Sequence, residues 1–204
     1  MSEELELLTE TASRILSEHC TPELIESVER GAHPGTLWDT LADAGLTSAG
    51  IAEVAGGVGG EPGWGAAIMI EAGRFAVPLP LAETWLAGRV LQATDQSLPV
   101  GMTSVATGDF ELEGGRVRGS AANVSFAPWA QHFVLVGAGA VALVESAGVE
   151  LEPIQTITGE PAANINVDAP AVSYAEARAA DQLLVEGAVI RSCMMAGALE
   201  YMLE

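Results

Sequence analysis

The stretch Phe110–Gly119 reads FELEGGRVRG. Apolar and charged residues alternate on both sides of Gly114-Gly115. A period of two puts alternate side chains on opposite faces of a strand, and a two-residue glycine turn joins two such strands into a hairpin. The same texture continues outward. Pro99–Ala106 carries Val100, Met102 and Val105. His132–Val136 (HFVLV) and Val141–Glu145 (VALVE) flank the turn Gly137-Ala138-Gly139-Ala140, and Val149–Ile154 and Ile165–Val167 follow. About seven short strands between Leu98 and Val172 predict a small antiparallel barrel or sandwich.

Helical texture lies on both sides. Leu5, Leu8, Ala12, Ile15, Leu16 and His19 recur at three- and four-residue steps on one helix face. Ser2, Glu3 and Glu4 give that helix an acidic start, which suits its dipole. Thr21-Pro22 opens a second helix with proline in its first turn. Gly35-Thr36 precedes a third, with Leu37, Trp38, Leu41, Ala42 and Leu46 facing inward and Gly45 ending it in a left-handed conformation. A glycine-rich loop, Gly56–Gly65 (GGVGGEPGWG), leads to helices over 66–75 and 82–93. About five helices joined by short loops predict a bundle. From Ala180 the period returns through Leu183, Leu184, Gly187, Ala188, Arg191, Met194, Met195, Ala198 and Met202. The expected class is α+β: a helical section over 1–97, a β section over 98–177, and the start of a further helix over 178–204.

Composition narrows the chemistry. Of 204 residues, 8 are basic and 28 acidic, for a net charge of −20. All eight basic residues are Arg; without Lys there is no Schiff-base lysine and no Walker-type phosphate loop. The charge repels polyphosphates, so neither nucleic acid nor an anionic membrane is an expected partner. No continuous run of about 18 apolar residues occurs, and no basic segment precedes an apolar one at the amino end. A cytoplasmic protein is the expectation. Apolar residues make up 49%, rich in Ala and Val. Such a surplus suggests burial against further chain or a second subunit.

Familiar catalytic patterns are missing from the sequence. His19, His33 and His132 lack metal-ligand spacing, so no metal is expected. Cys20 and Cys193 form no CxxC pair. No G-x-S-x-G elbow occurs. Gly57-Val58-Gly59 matches half of a dinucleotide fingerprint, but Pro62 takes the third glycine position. The simpler reading is a loop that needs positive φ at several positions.

Four stretches carry a resemblance. They are Leu37–Gly57 (LWDTLADAGLTSAGIAEVAGG), Glu71–Ala87 (EAGRFAVPLPLAETWLA), Gly119–Val136 (GSAANVSFAPWAQHFVLV) and Ala188–Leu203. In order and spacing they resemble the amino-terminal helical domain, middle β domain and first carboxy-terminal helix of the acyl-CoA dehydrogenases, in a divergent branch. The resemblance implies an FAD flavoprotein, an oxidoreductase of fatty-acid or sterol degradation. In that family a glutamate removes the α-proton of an acyl-CoA thioester and flavin accepts the β-hydride. Flavin lies between the β domain and the carboxy-terminal helices.

Departures locate the candidate residues. The family strand motif T-E-P-x-x-G-S-D is replaced by Val100–Thr107 (VGMTSVAT), where Thr103 and Ser104 offer flavin contacts. The family segment W-I-T-N aligns with Asn123, Val124, Ser125 and Phe126, so Asn123 stands where a stacking Trp is usual. Among carboxylates, Glu186 falls nearest the position where a minority of the family places its base. Most members place the base in the carboxy-terminal domain, of which this sequence holds only the first helix. Arg191 on that helix suits a phosphate or a carboxylate of a partner subunit. The implied partners are an acyl-CoA substrate and a homo- or hetero-oligomer formed through the last helix. A non-catalytic partner subunit and a plain ligand-binding domain are the rival readings.

Overall fold

A computed structural model describes residues 3–203; Ser2 and Glu204 lie outside the described residues. Five helices come first: α1 (Glu3–His19), α2 (Pro22–Glu29), α3 (Gly35–Asp43), α4 (Pro62–Arg74) and α5 (Leu81–Ala93). Their starts and stops follow the expected chemistry. Thr21 caps α2 by accepting from the Leu24 N–H at 3.3 Å, with Pro22 in the first turn. Gly45 leaves α3 at φ 74°. One helix starts earlier than the glycine-rich texture suggests. Pro62 begins α4, so only Gly56, Gly59 and Gly60 of that loop take positive φ. Ala42, expected to face inward, is exposed.

Eight strands follow: β1 (Thr103–Thr107), β2 (Asp109–Glu113), β3 (Arg116–Ser125), β4 (His132–Val136), β5 (Val141–Glu145), β6 (Val149–Ile154), β7 (Ala162–Pro170) and β8 (Ser173–Ala175). They form two four-stranded sheets, ordered β1-β4-β5-β8 and β2-β3-β7-β6. The module is therefore a sandwich. The expected hairpin is present, with Glu113 opposite Arg116 across Gly114-Gly115. One pairing departs from the antiparallel expectation: β1 runs parallel to β4, which the connection through β2 and β3 makes possible.

The period of two explains how the pieces join. Phe133 and Leu135 of β4, with Ala142 and Val144 of β5, pack against Val117, Val124, Ile165 and Val167 of the other sheet. Val134, Val136, Val141 and Leu143 point the other way, into the core of the helical bundle. Both faces of β4 and β5 are thus covered, which is why they read as continuous apolar runs rather than alternating ones.

The last helix, α6 (Ala180–Leu203), returns across the bundle and crosses α4 at glycines. A Cβ on Gly73 would sit 1.9 Å from the Met194 carbonyl oxygen, and one on Gly197 would sit 1.8 Å from that of Ile70. By length and composition alone α6 would reach across a membrane, with a mean hydropathy of 1.3. This differs from the sequence expectation. Its packed face belongs to the bundle, where Ile190 and Gly197 are buried. Elsewhere it exposes Leu184, Val189, Met195, Leu199 and Met202.

Candidate functional site

Three consecutive residues of α5 tie the molecule together. Successive helical side chains diverge by about 100°, so Glu83, Thr84 and Trp85 reach three different elements. Glu83 accepts from the Arg191 guanidinium of α6. Thr84 Oγ1 donates to the Thr103 carbonyl at 3.0 Å and accepts from the Thr103 N–H at 3.1 Å, fixing β1. The Trp85 indole donates to the Ala49 carbonyl at 2.9 Å. One turn on, Arg89 stacks over the Trp85 ring and grips Glu186 of α6 with two hydrogen bonds, at 3.1 and 3.2 Å.

Where α5, β1, β3 and α6 meet, a cavity of about 630 Å³ opens, within the range of small-molecule and cofactor sites. Leu86, Val105, Val124, Leu183 and Ala188 supply apolar wall, and Thr107, Asn123 and Ser125 supply polar wall. A second cavity of about 710 Å³ lies between α3 and the segment 98–102. The first is the candidate site because all three sections of the chain contribute to it. It also holds an ion pair whose acid is buried and whose arginine is half exposed.

That pair is Glu83 with Arg191. Glu83 is only 4% exposed, and its Oε2 has no hydrogen-bond partner. Burial raises the Glu83 carboxyl above its ordinary range, against the lowering influence of Arg191; the Glu160 carboxylate raises it further. Ser125 Oγ donates to Glu160 at 3.1 Å. Perturbed carboxylates in clefts mark functional sites more often than chance.

The structure sorts the residues expected from sequence. Asn123, Val124 and Ser125 line the cavity together. Asn123 takes φ 55° at the irregularity where β3 slips register against β7, and its N–H is donated to Asn164 Oδ1 at 3.2 Å. Thr103 and Ser104 do not line the cavity. Both are fully buried, and Ser104 Oγ is spent on the Ser125 carbonyl at 2.8 Å. From β1 it is Val105, Ala106 and Thr107 that reach the cavity. Glu186 is not in the lining either, since Arg89 and Gln182 hold it on the neighbouring face of α6. Arg191 does meet a carboxylate, but one within its own chain. Sequence reasoning does not reach Glu83. Its signal was an acid in an otherwise apolar helix, LAETWLAG.

The residues present fit an FAD ring system in part. The cavity has room for it, and the β1 and β3 edges give it a wall. No aromatic side chain lines that wall, and its one cation, Arg191, is already paired. Among the described residues no group of His, Cys, Asp or Glu side chains is arranged to hold a metal.

Solved structures of the same fold define the class. A variant of the Tcur3481–Tcur3483 steroid ACAD superposes with a TM-score of 0.82 at 25% identity, over 96% of this chain and 63% of that one. The ChsE4–ChsE5 complex of Mycobacterium tuberculosis gives 0.80 at 22% identity, over 98% and 65%. The class is thus an α+β protein with the helical, β and returning-helix elements of an acyl-CoA dehydrogenase. The sequence profile described as acyl-CoA dehydrogenase, N-terminal domain, matches residues 2–94. A curated relative, the acyl-CoA dehydrogenase IpdE2 of Mycolicibacterium smegmatis, is 32% identical over 165 residues, or 79% of this chain and 48% of the relative. The chain belongs to the acyl-CoA dehydrogenase family, and it spans about half the length of that curated relative.

Proposed function

We propose that this chain supplies the helical and β walls of an FAD-dependent acyl-CoA dehydrogenase site, in a cytoplasmic enzyme of fatty-acid or steroid degradation. The supporting observation is the cavity itself, which stands where α5, the β module and α6 converge and is lined by Asn123, Val124 and Ser125. Bound FAD supplies the hydride acceptor for α,β-dehydrogenation of an acyl-CoA thioester. The chain's own part is to bind and orient. Asn123–Ser125 and Val105–Thr107 present backbone and short side chains to a planar ring. Leu86, Leu183 and Ala188 exclude water from the acyl group.

A second reading has its own support. The chain acts as one subunit of a hetero-oligomer and completes its site with a partner. Arg89 holds both oxygens of Glu186, and Glu83 gives one oxygen to Arg191 while its other is shut off from solvent, so neither is placed to take the α-proton. The wall lacks a stacking aromatic, and α6 exposes Leu184, Val189, Met195, Leu199 and Met202. An apolar stripe of that extent marks an interaction surface. The structurally similar ChsE4–ChsE5 is itself a complex.

One experiment tests both readings. The chain is purified alone and co-expressed with dehydrogenase-like chains from neighbouring genes. Flavin absorbance and particle mass are measured before and after adding FAD. Flavin on the chain alone supports the first reading. Flavin only in a mixed assembly, at half the subunit count, supports the second. No flavin in either preparation sinks both.

A further inference from the structure

The second cavity, about 710 Å³ between α3 and the segment 98–102, differs in kind from the first. Its volume suits a small molecule, yet much of its wall is polar. Two of its lining residues are more than nine-tenths buried and still carry an unused polar group. Trp38 is 6% exposed and Thr47 is 8% exposed. Among the described residues neither the Trp38 indole N–H nor the Thr47 hydroxyl has a hydrogen-bond partner, and neither is sealed from water. A buried tryptophan normally gives its N–H to an acceptor, as Trp85 does to the Ala49 carbonyl. The little surface that Trp38 and Thr47 keep is surface of the cavity.

The rest of the wall adds groups of both kinds. The half-buried Trp129 brings a second free indole N–H, and Ser48 a second free hydroxyl. Asp39 and Asp43 are exposed and, among the described residues, form no ion pair. His33 meets the Trp129 ring edge-on at 5.1 Å, and Phe126 lies 5.7 Å from it. That part of the wall is therefore set before a ligand arrives, which lowers the cost of binding.

These groups choose the ligand chemistry. No Arg lines the cavity and the chain has no Lys, so two carboxylates face an incoming anion without a counter-charge. A hydrocarbon would strip water from the indole N–H groups and hydroxyls and give nothing back. An ammonium group only donates; it answers the aspartates and leaves the indole N–H groups without an acceptor. A hydroxyl donates and accepts, so a ligand with several hydroxyls satisfies both sets. We propose that this cavity binds a neutral sugar, held by Trp38 and Thr47 on its buried side and by Asp39 and Asp43 at its rim. The proposal does not rest on the acyl-CoA reading, because none of these four residues lines the first cavity.

The test uses the protein as purified, with any partner subunit it carries. Saturation-transfer NMR follows its titration with glucose, galactose, mannose and maltose. Two further probes are glucuronate, which adds a carboxylate to the same ring, and tetramethylammonium, a cation without hydroxyls. At least one neutral sugar is expected to bind saturably, and about tenfold or more tightly than glucuronate. No saturable binding of any neutral sugar overturns the proposal, as does equal or tighter binding of glucuronate or tetramethylammonium. Trp38→Phe keeps an aromatic ring and removes the N–H, and is expected to weaken sugar binding about fivefold or more. A folded Trp38→Phe protein that binds sugar as tightly as the native one overturns the proposal. If that variant does not fold, the exposed pair Asp39→Asn with Asp43→Asn decides. It is expected to narrow the gap between neutral sugar and glucuronate, and an unchanged gap overturns the proposal. Flavin content, read in the same preparations, is expected to stay the same throughout, so failure here leaves the acyl-CoA reading standing.

Discussion

Two glycines of α6 should respond to the same substitution with opposite signs. At Gly197 a methyl group would lie 1.8 Å from the Ile70 carbonyl oxygen and 2.9 Å from the Arg74 nitrogen. Both obstacles are backbone atoms of α4, so no side-chain rotation clears them. Overpacking of this kind costs about 1–3 kcal/mol, and the upper figure applies where the neighbour cannot give. Replacing glycine within a helix returns about 1 kcal/mol of propensity. Gly197→Ala should therefore destabilise the protein by about 2 kcal/mol, or roughly 4–8 °C in a chain of this size. At Gly187 the nearest atom to a new methyl is Leu86 Cδ1, at 3.9 Å, an ordinary contact. Gly187→Ala keeps the propensity gain and should stabilise by about 1 kcal/mol, or roughly 2–4 °C. Denaturant and thermal unfolding of the two variants without ligand make the measurement. The gap of about 3 kcal/mol between them does not depend on how the unfolded state is treated, because both changes remove the same backbone freedom. Equal shifts, or an unaltered Gly197→Ala, would refute the close crossing of α4 and α6.

Two further outcomes follow from individual contacts. Glu186→Gln removes the charge from the Arg89 clamp, in which the two side chains are 18% and 22% exposed. It should lower the unfolding free energy by about 1–2 kcal/mol while leaving ligand affinity alone; weaker binding at unchanged stability would make Glu186 part of the site. Burial pushes the Cys20 thiol up to about 11 from an ordinary 9.0. Between those values the native state holds a proton that the unfolded state has lost, so stability falls as pH rises through the window. Unfolding measured across it should show a decline that Cys20→Ala lacks, and in the native protein Cys20 should label more slowly than the partly exposed Cys193.

The front bundle was legible because its punctuation is local. Thr21-Pro22 and Gly45 act within one turn of themselves, and each does what its chemistry predicts. Pro62 was read as loop because it sits among the six glycines of Gly56–Gly65. It begins α4, and Gly65 is required there by Trp85, whose indole nitrogen would lie 1.9 Å from a Cβ. That constraint comes from a residue twenty positions away and leaves no local trace. The strand Ser173–Ala175 was missed for a different reason: three residues are too few to show a period. In the candidate site, Asn123, Val124 and Ser125 were found through family alignment, whereas Thr103 and Ser104 were placed by an alignment two residues short of the cavity-facing end of β1. Arg191 stood out as a lone cation on an apolar helix. Its partner could not be read, because Glu83 lies 108 positions away and periodicity carries no information about pairing at that range.

The reason Thr103 and Ser104 stay in the scaffold, while Thr107 at the far end of β1 reaches the cavity, begins in α5. Ten of its residues are buried, on all sides of the helix, so it has no solvated face and serves as the axle between bundle, sandwich and α6. An axle of this kind needs polar contacts to fix rotation, since apolar packing alone tolerates slippage. Thr84 takes both backbone groups of Thr103, and one residue on, Ser104 closes onto Ser125. These bonds hold the β1 and β3 edges at a set separation before any ligand arrives. A preorganised wall orders less on binding than a loose one, which favours affinity. The same economy limits what the wall can recognise. With Thr103, Ser104 and the Ser125 carbonyl committed to the scaffold, discrimination falls to Thr107, Asn123 and the Ser125 hydroxyl beside Glu160.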